Sequence, residues 1–173
     1  MKTNPEYRQK GRRVGSAGGF FNQLMSHNAS VPVVGEGATE LMYSDRHAYE
    51  VLEVNEKEKT CVIQRYAPER TDNLGMSDSQ SYKYEKLTGS PMKLYWKYGA
   101  WRTKSEMILF TNEATDKYNT GPKLHDAYKN AGGTYNEMGL MTDVVEGITR
   151  KKTSWHKISI VFGTKQEYYD FSF

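Results

Sequence analysis

The sequence predicts an α+β chain that is mainly β: a small SH3-like or related β-barrel with a short N-terminal helix and a helical insertion. Three observations point there. Short runs of β-branched and aromatic residues alternate with polar ones from Val33 to Phe110 and again from Ser154 to Phe162. Polar connections, several containing glycine, separate those runs at hairpin spacing. One amphipathic helical pattern with a clear start and stop interrupts the series between residues 112 and 147, and many short strands in series without a long internal repeat suit a small barrel.

Residues 1–19 are polar, basic and glycine-rich and read as a flexible arm that orders on a partner. Residues 20–173 then form a single barrel-like domain with the insertion at 112–147. Phe20, Phe21, Leu24 and Met25 place four apolar side chains on one side of a short helix, expected to pack on the barrel before residues 28–32 break it. Residues 49–54 and 60–66 read as paired strands joined by the polar run 55–59. Residues 80–87 alternate, with Tyr82 and Tyr84 on one face and Ser81, Lys83 and Glu85 on the other.

Leu87-Thr88-Gly89-Ser90-Pro91 predicts a turn into residues 92–96, and Tyr98-Gly99 a second turn toward Trp101 and Phe110. Thr120-Gly121-Pro122 starts a helix whose Leu124, Ala127, Tyr128 and Ala131 share a face, and Gly132-Gly133 stops it. Residues 134–147 are a second short helix or an apolar loop. Ile158, Ile160 and Phe162 alternate in a late strand, and the aromatic run 167–173 is expected to dock rather than fray.

The net charge of +3 is unevenly spread. Lys2, Arg8, Lys10, Arg12 and Arg13 against Glu6 give residues 1–16 a net of +4, leaving −1 for residues 17–173. Such a body neither imitates DNA by overall charge nor grips it as a dedicated DNA-binding domain does, so the five basic residues of the arm are the candidate phosphate contacts. The single cysteine, Cys61, excludes an intrachain disulfide, reads as a small buried hydrophobe and fits the cytoplasm. No apolar run approaches the roughly 20 residues of a membrane span.

Two polar stretches carry the candidate binding residues. Ser44-Asp45-Arg46-His47 sets a carboxylate, a guanidinium and an imidazole side by side, a combination able to meet a phosphate or an acidic group. The second, within residues 64–80, offers Arg65, Arg70, Asp72, Asp78 and Gln80. The two stretches are expected to face one another across a single polar surface. The same residue types also suit turns held by their own side chains. Tyr82, Tyr84, Tyr95 and Tyr98, interleaved with Lys83, Lys93 and Lys97, fit either base stacking or ordinary strand packing. His27, His47, His125 and His156 are isolated, and neither HExxH nor CxxC is present, so no metal or cofactor is expected. Asp45, His47, Asp72 and Asp78 would be the residues of a phosphodiesterase-type alternative.

Three stretches, GEGATELMYSDRHAYEVLEV, QRYAPERTDNLGMSDSQSY and FGTKQEYYDFSF, resemble short proteins encoded by bacteriophages and prophages. The resemblance covers about half the chain and implies a phage accessory protein, with no catalytic residue carried over. The role expected from it is non-catalytic binding of a nucleic acid, or of a nucleoprotein or protein complex of the host, in the host cytoplasm. Inhibition of a host defence system, in the manner of anti-CRISPR proteins, is one such role. A nuclease-type enzyme and a small virion component are the alternatives, and the oligomeric state is left open.

Overall fold

The computed structural model describes residues 1–10 and 20–171. Its class is the expected one, α+β and mainly β. The elements are α1 (Phe20–Met25), β1 (Gly37–Leu41), β2 (Arg46–Asn55), β3 (Thr60–Arg70), β4 (Tyr82–Lys97), β5 (Ala100–Phe110), α2 (Asn112–Tyr118), α3 (Gly121–Asn130), β6 (Thr149–Lys157) and β7 (Ile160–Phe162). The strands form one sheet in the order β6-β5-β4-β3-β2-β1-β7. Two compact units divide the chain: Met1–Thr103 with His156–Phe173, and Lys104–Trp155. No helix among the described residues is long and apolar enough to cross a membrane.

In the first unit the sheet curls back on itself. Ile158 donates its amide to the Trp101 carbonyl on β5, and the next residue, Ser159, accepts from Leu41 on β1. Two consecutive residues thus join strands that stand four places apart in the order, which a flat sheet could not allow. The core inside this curl contains Val51, Ile63, Leu94, Trp101, Ile160 and Phe162. Trp101 lies parallel to Tyr7 at 5.6 Å and meets Phe162 and Trp96 edge-on at 5.4 and 5.6 Å. Burying each such ring contributes about 1.5–3 kcal/mol.

The hairpins at residues 55–59 and at Tyr98-Gly99 form as expected, with Lys59, Tyr98 and Gly99 in the left-handed conformation such tight turns use. The turn expected at residues 87–91 does not. β4 runs straight through Gly89, Ser90 and Pro91, and the pairing with β3 steps from Ile63↔Met92 to Arg65↔Thr88. Three residues of β4 therefore oppose Gln64 alone, a bulge whose displaced Gly89 carbonyl accepts the Gln64 side-chain amide at 2.7 Å.

The arm expected to be mobile from residue 1 is corrected for its first ten residues. Thr3 pairs with Ser30, residues 5–7 form a 3-10 turn capped by Asn4, and buried Gln9 donates to the Ile160 carbonyl at 2.8 Å. The Gln9 amide thus satisfies a buried carbonyl of β7, which ties this stretch to the sheet. Arg12 and Arg13 lie outside the described residues.

The short helix α1 forms, but the face expected to be buried points outward. Asn22, Gln23 and Ser26 are buried, whereas Phe20, Phe21 and Leu24 are exposed. Asn22 decides this orientation: its amide donates to the carbonyls of Ser44 and Asp45 at 2.9 and 3.0 Å, and its oxygen accepts from Arg46 Nε at 2.7 Å. Carbonyls left bare beside a hairpin turn cost more than apolar side chains left in water, so the polar face wins the inward position.

The second unit contains the whole of the expected insertion together with residues 104–111 and 148–155. Helix α3 forms as read, burying Leu124 and Tyr128. Helix α2 was not anticipated, although Thr111 caps it by accepting from the Ala114 amide at 3.1 Å. Residues 134–147 are a loop rather than a helix, pinned by Asn136 and by Asp143, whose carboxyl is held below its ordinary range by hydrogen bonds from Thr134 and Thr142.

Candidate functional site

The site is built where β2 and β3 part company. The two strands pair from Asn55↔Thr60 to Tyr49↔Arg65; beyond that, bulged β3 follows β4 alone. The first residues of β2, Arg46 to Ala48, then lack a neighbour on that side. The C-terminal segment fills the gap. Arg46 and Tyr168 exchange both backbone hydrogen bonds, at 2.9 and 3.1 Å, and the Ala48 amide donates to Glu167 Oε2 at 2.9 Å.

Arg46 is the hub of this surface. Its Nε reaches Asn22 of α1, its Nη1 reaches Gln166 Oε1 at 3.1 Å, and its guanidinium lies 5.5 Å from the centre of the Tyr168 ring. Three elements distant in sequence are thereby tied to one half-buried cation.

The other predicted residues gather on the same segment. Asp45 Oδ1 accepts the Asp170 amide at 2.8 Å, and Arg65 pairs with Glu167 at 2.6 Å. Asp78 accepts from the Tyr168 hydroxyl at 3.0 Å, which raises the tyrosine's pKa beyond what burial alone does. Gln80 reads Tyr169 twice, accepting from its amide and donating to its carbonyl at 3.0 and 2.6 Å. Arg70 grips both oxygens of Asp72 and lies 5.4 Å from the Phe171 ring centre. That fork, with amide donations from Ser81 and Leu74, holds the Asp72 carboxyl well below the usual carboxylate range. Asp72 reaches the segment only through Arg70, and His47 stands apart, half-buried on β2 with Glu40 as its cross-strand partner.

The two predicted stretches do converge, yet through a third element rather than by facing each other directly. Because Arg46 is engaged on three sides, it is a structural hub and not the free exposed side chain that a simple ligand contact requires. Asp45, Asp72 and Asp78 each accept from an internal donor: the Asp170 amide, the Arg70 guanidinium and the Tyr168 hydroxyl. Among the described residues, no group of three or more His, Cys, Asp or Glu is placed to hold a metal ion.

Sequence reasoning missed Asn22 and Gln166, and read Tyr84 only as a stacking or strand-packing residue and Glu167 only as part of the docked C-terminal run. Tyr84 receives the Glu167 amide at 2.7 Å, and Lys165 lies over the rings of Tyr66 and Tyr84 at 4.7 and 5.2 Å. The one available signal was the aromatic, acidic C-terminal run, which docks as expected over residues 167–171.

What faces outward beside this hub is apolar. Met42 and Tyr43 sit on the loop whose carbonyls Asn22 holds, and both are exposed, as are Phe20, Phe21 and Leu24. A separate aromatic and cationic group surrounds the β4–β5 turn, where Tyr98 is 78% exposed with Arg102 at 5.5 Å from its ring centre, and Lys93 lies 5.5 Å from the Tyr95 ring centre. No family model, curated protein or solved structure matches this chain, so both surfaces are read from their own residues.

Proposed function

We propose that this chain is a non-catalytic binding protein that recognises a protein surface of a larger host complex, nucleoprotein in type, through α1 and the 42–47 loop. One observation carries the reading: α1 turns Asn22 and Gln23 inward, with Ser26 buried directly after it, and Phe20, Phe21 and Leu24 outward. Nothing in folding favours that choice of outward residues, because polar side chains there would cost the helix nothing. Exposed Phe20, Phe21 and Leu24 on α1, with exposed Met42 and Tyr43 on the loop that Asn22 holds, have the composition of a protein interface centre, where aromatic and Met side chains supply most of the affinity. The rim is polar, with Asp45, Arg46 and His47 beside it. Blocking a host defence complex is a function of this class.

A second reading rests on the Tyr98 turn, where an exposed ring flanked by Arg102 and Lys97 suits stacking on a single-stranded base. Capture from bacterial host lysate, with and without nuclease, separates the two. The first reading expects retained protein that survives nuclease and falls at least tenfold in Phe20→Ser/Phe21→Ser. Retention released by nuclease and lost in Tyr98→Ala favours the second. Retention unchanged in both variants contradicts both.

A further inference from the structure

We infer that the cleft between β2 and β3 is a binding groove for an extended acidic and aromatic peptide, with residues 164–171 as its resident, displaceable occupant. A strand added to a sheet is held by its ladder of backbone bonds together with cross-strand side-chain pairs. Here the backbone supplies one bridged pair, Arg46↔Tyr168, while the side chains are read in succession.

Gln166 meets Arg46, Glu167 meets Arg65 and the Ala48 amide, Tyr168 meets the Arg46 guanidinium and Asp78, and Phe171 meets Arg70. Gln80 recognises the Tyr169 backbone from both sides while leaving that side chain exposed. This is how grooves that add a strand to a sheet edge bind peptides: main-chain bonds give affinity, and sites for alternate side chains give selectivity. Charge is matched at Glu167, which pairs with Arg65, while Arg70 is already paired with Asp72.

Gly163, directly after β7, turns the chain into this segment at φ +77°, and a side chain there would come within 2.8 Å of the Met1 backbone. The ligand class is therefore an extended peptide with a carboxylate, an aromatic ring one residue on and a second ring three residues further. A partner presenting that pattern competes with the chain's own segment, which holds the advantage of a millimolar-range effective concentration.

The test uses a fluorescent peptide of residues 164–173 and the full chain. In wild type the peptide binds weakly. In the full-length Glu167→Ala/Tyr168→Ala chain, whose own segment is loosened, binding strengthens at least tenfold, and adding Arg65→Ala removes that gain. No binding by the loosened chain, or binding indifferent to Arg65→Ala, overturns the proposal. A milder Glu167→Gln chain guards against loss of folding: at matched peptide concentration it must bind more than wild type. If it does not, or if the loosened chain unfolds at room temperature, residues 164–171 are a structural strand and the proposal fails.

Discussion

Two short helices of this protein solve the same problem in opposite ways. In the second unit α3 buries Leu124 and Tyr128 and gives its charged residues to water, as an amphipathic helix on a core does. In the first unit α1 buries amides and gives two phenylalanines and a leucine to water. The difference teaches that an apolar stripe marks a helix face without saying which way that face turns. For α3 the stripe belongs to the core. For α1 the polar stripe has the better claim, because bare carbonyls at Ser44 and Asp45 wait beside it.

The largest effect should come from the orthodox helix. Tyr128 is fully buried, its hydroxyl donates to the carbonyls of Thr134 and Asp143, and its ring meets Phe110 and Tyr135 edge-on. Tyr128→Ala should destabilise the second unit by about 3–5 kcal/mol, read as a shifted urea midpoint. Gly133→Ala tests the same packing from the other side, since its new methyl would lie 2.3 Å from the Tyr128 ring. A cost of about 1–3 kcal/mol is expected there.

Asn22→Leu makes α1 resemble α3 in composition and should still destabilise the first unit, by about 1–3 kcal/mol. It strips partners from two carbonyls and from Arg46 Nε. A midpoint unchanged or raised would mean that the inverted orientation has another cause.

The first unit should also be the alkali-sensitive one. Burial pushes the Cys61 thiol from 9.0 up to about 12, and burial together with the hydrogen bond to Glu50 pushes Tyr66 from 10.0 up to about 12. Folding therefore favours the neutral forms of both groups. Their contribution is complete below about pH 9 and is lost as pH rises toward 12. Denaturant midpoints measured across that window should fall, and Cys61→Ala should flatten the early part of the decline.

The smallest folding effect belongs to the outward face. Phe20→Ser/Phe21→Ser should leave the melting free energy within about 0.5 kcal/mol per site while reducing fluorescence of an apolar-surface dye. Substantial destabilisation would show that the two rings serve the fold after all.

Local chemistry was legible in the sequence and long-range chemistry was not. The turn at Tyr98-Gly99, the polar hairpin at 55–59 and α3 with its Gly132-Gly133 stop are specified within a few neighbouring residues. Thr111 offered an equally local cap for α2 that went unread. Gly89-Ser90-Pro91 has the composition of a turn, and only the distant Gln64 makes it a bulge. Likewise the candidate residues from Asp45 to Gln80 were picked out by type, while their common partner lies about 90 to 125 positions away at 166–171. Spacing cannot report that a polar surface is already covered by the chain's own end.

The central claim, that the outward face of α1 is a recognition surface for protein, is tested most directly by a photo-crosslinking residue placed at position 21 and, separately, at position 98. Each labelled full-length chain is irradiated in bacterial host lysate. A discrete protein adduct from position 21 that survives nuclease and has no counterpart from position 98 is the expected result. No adduct from position 21, or a discrete adduct only from position 98, would contradict it.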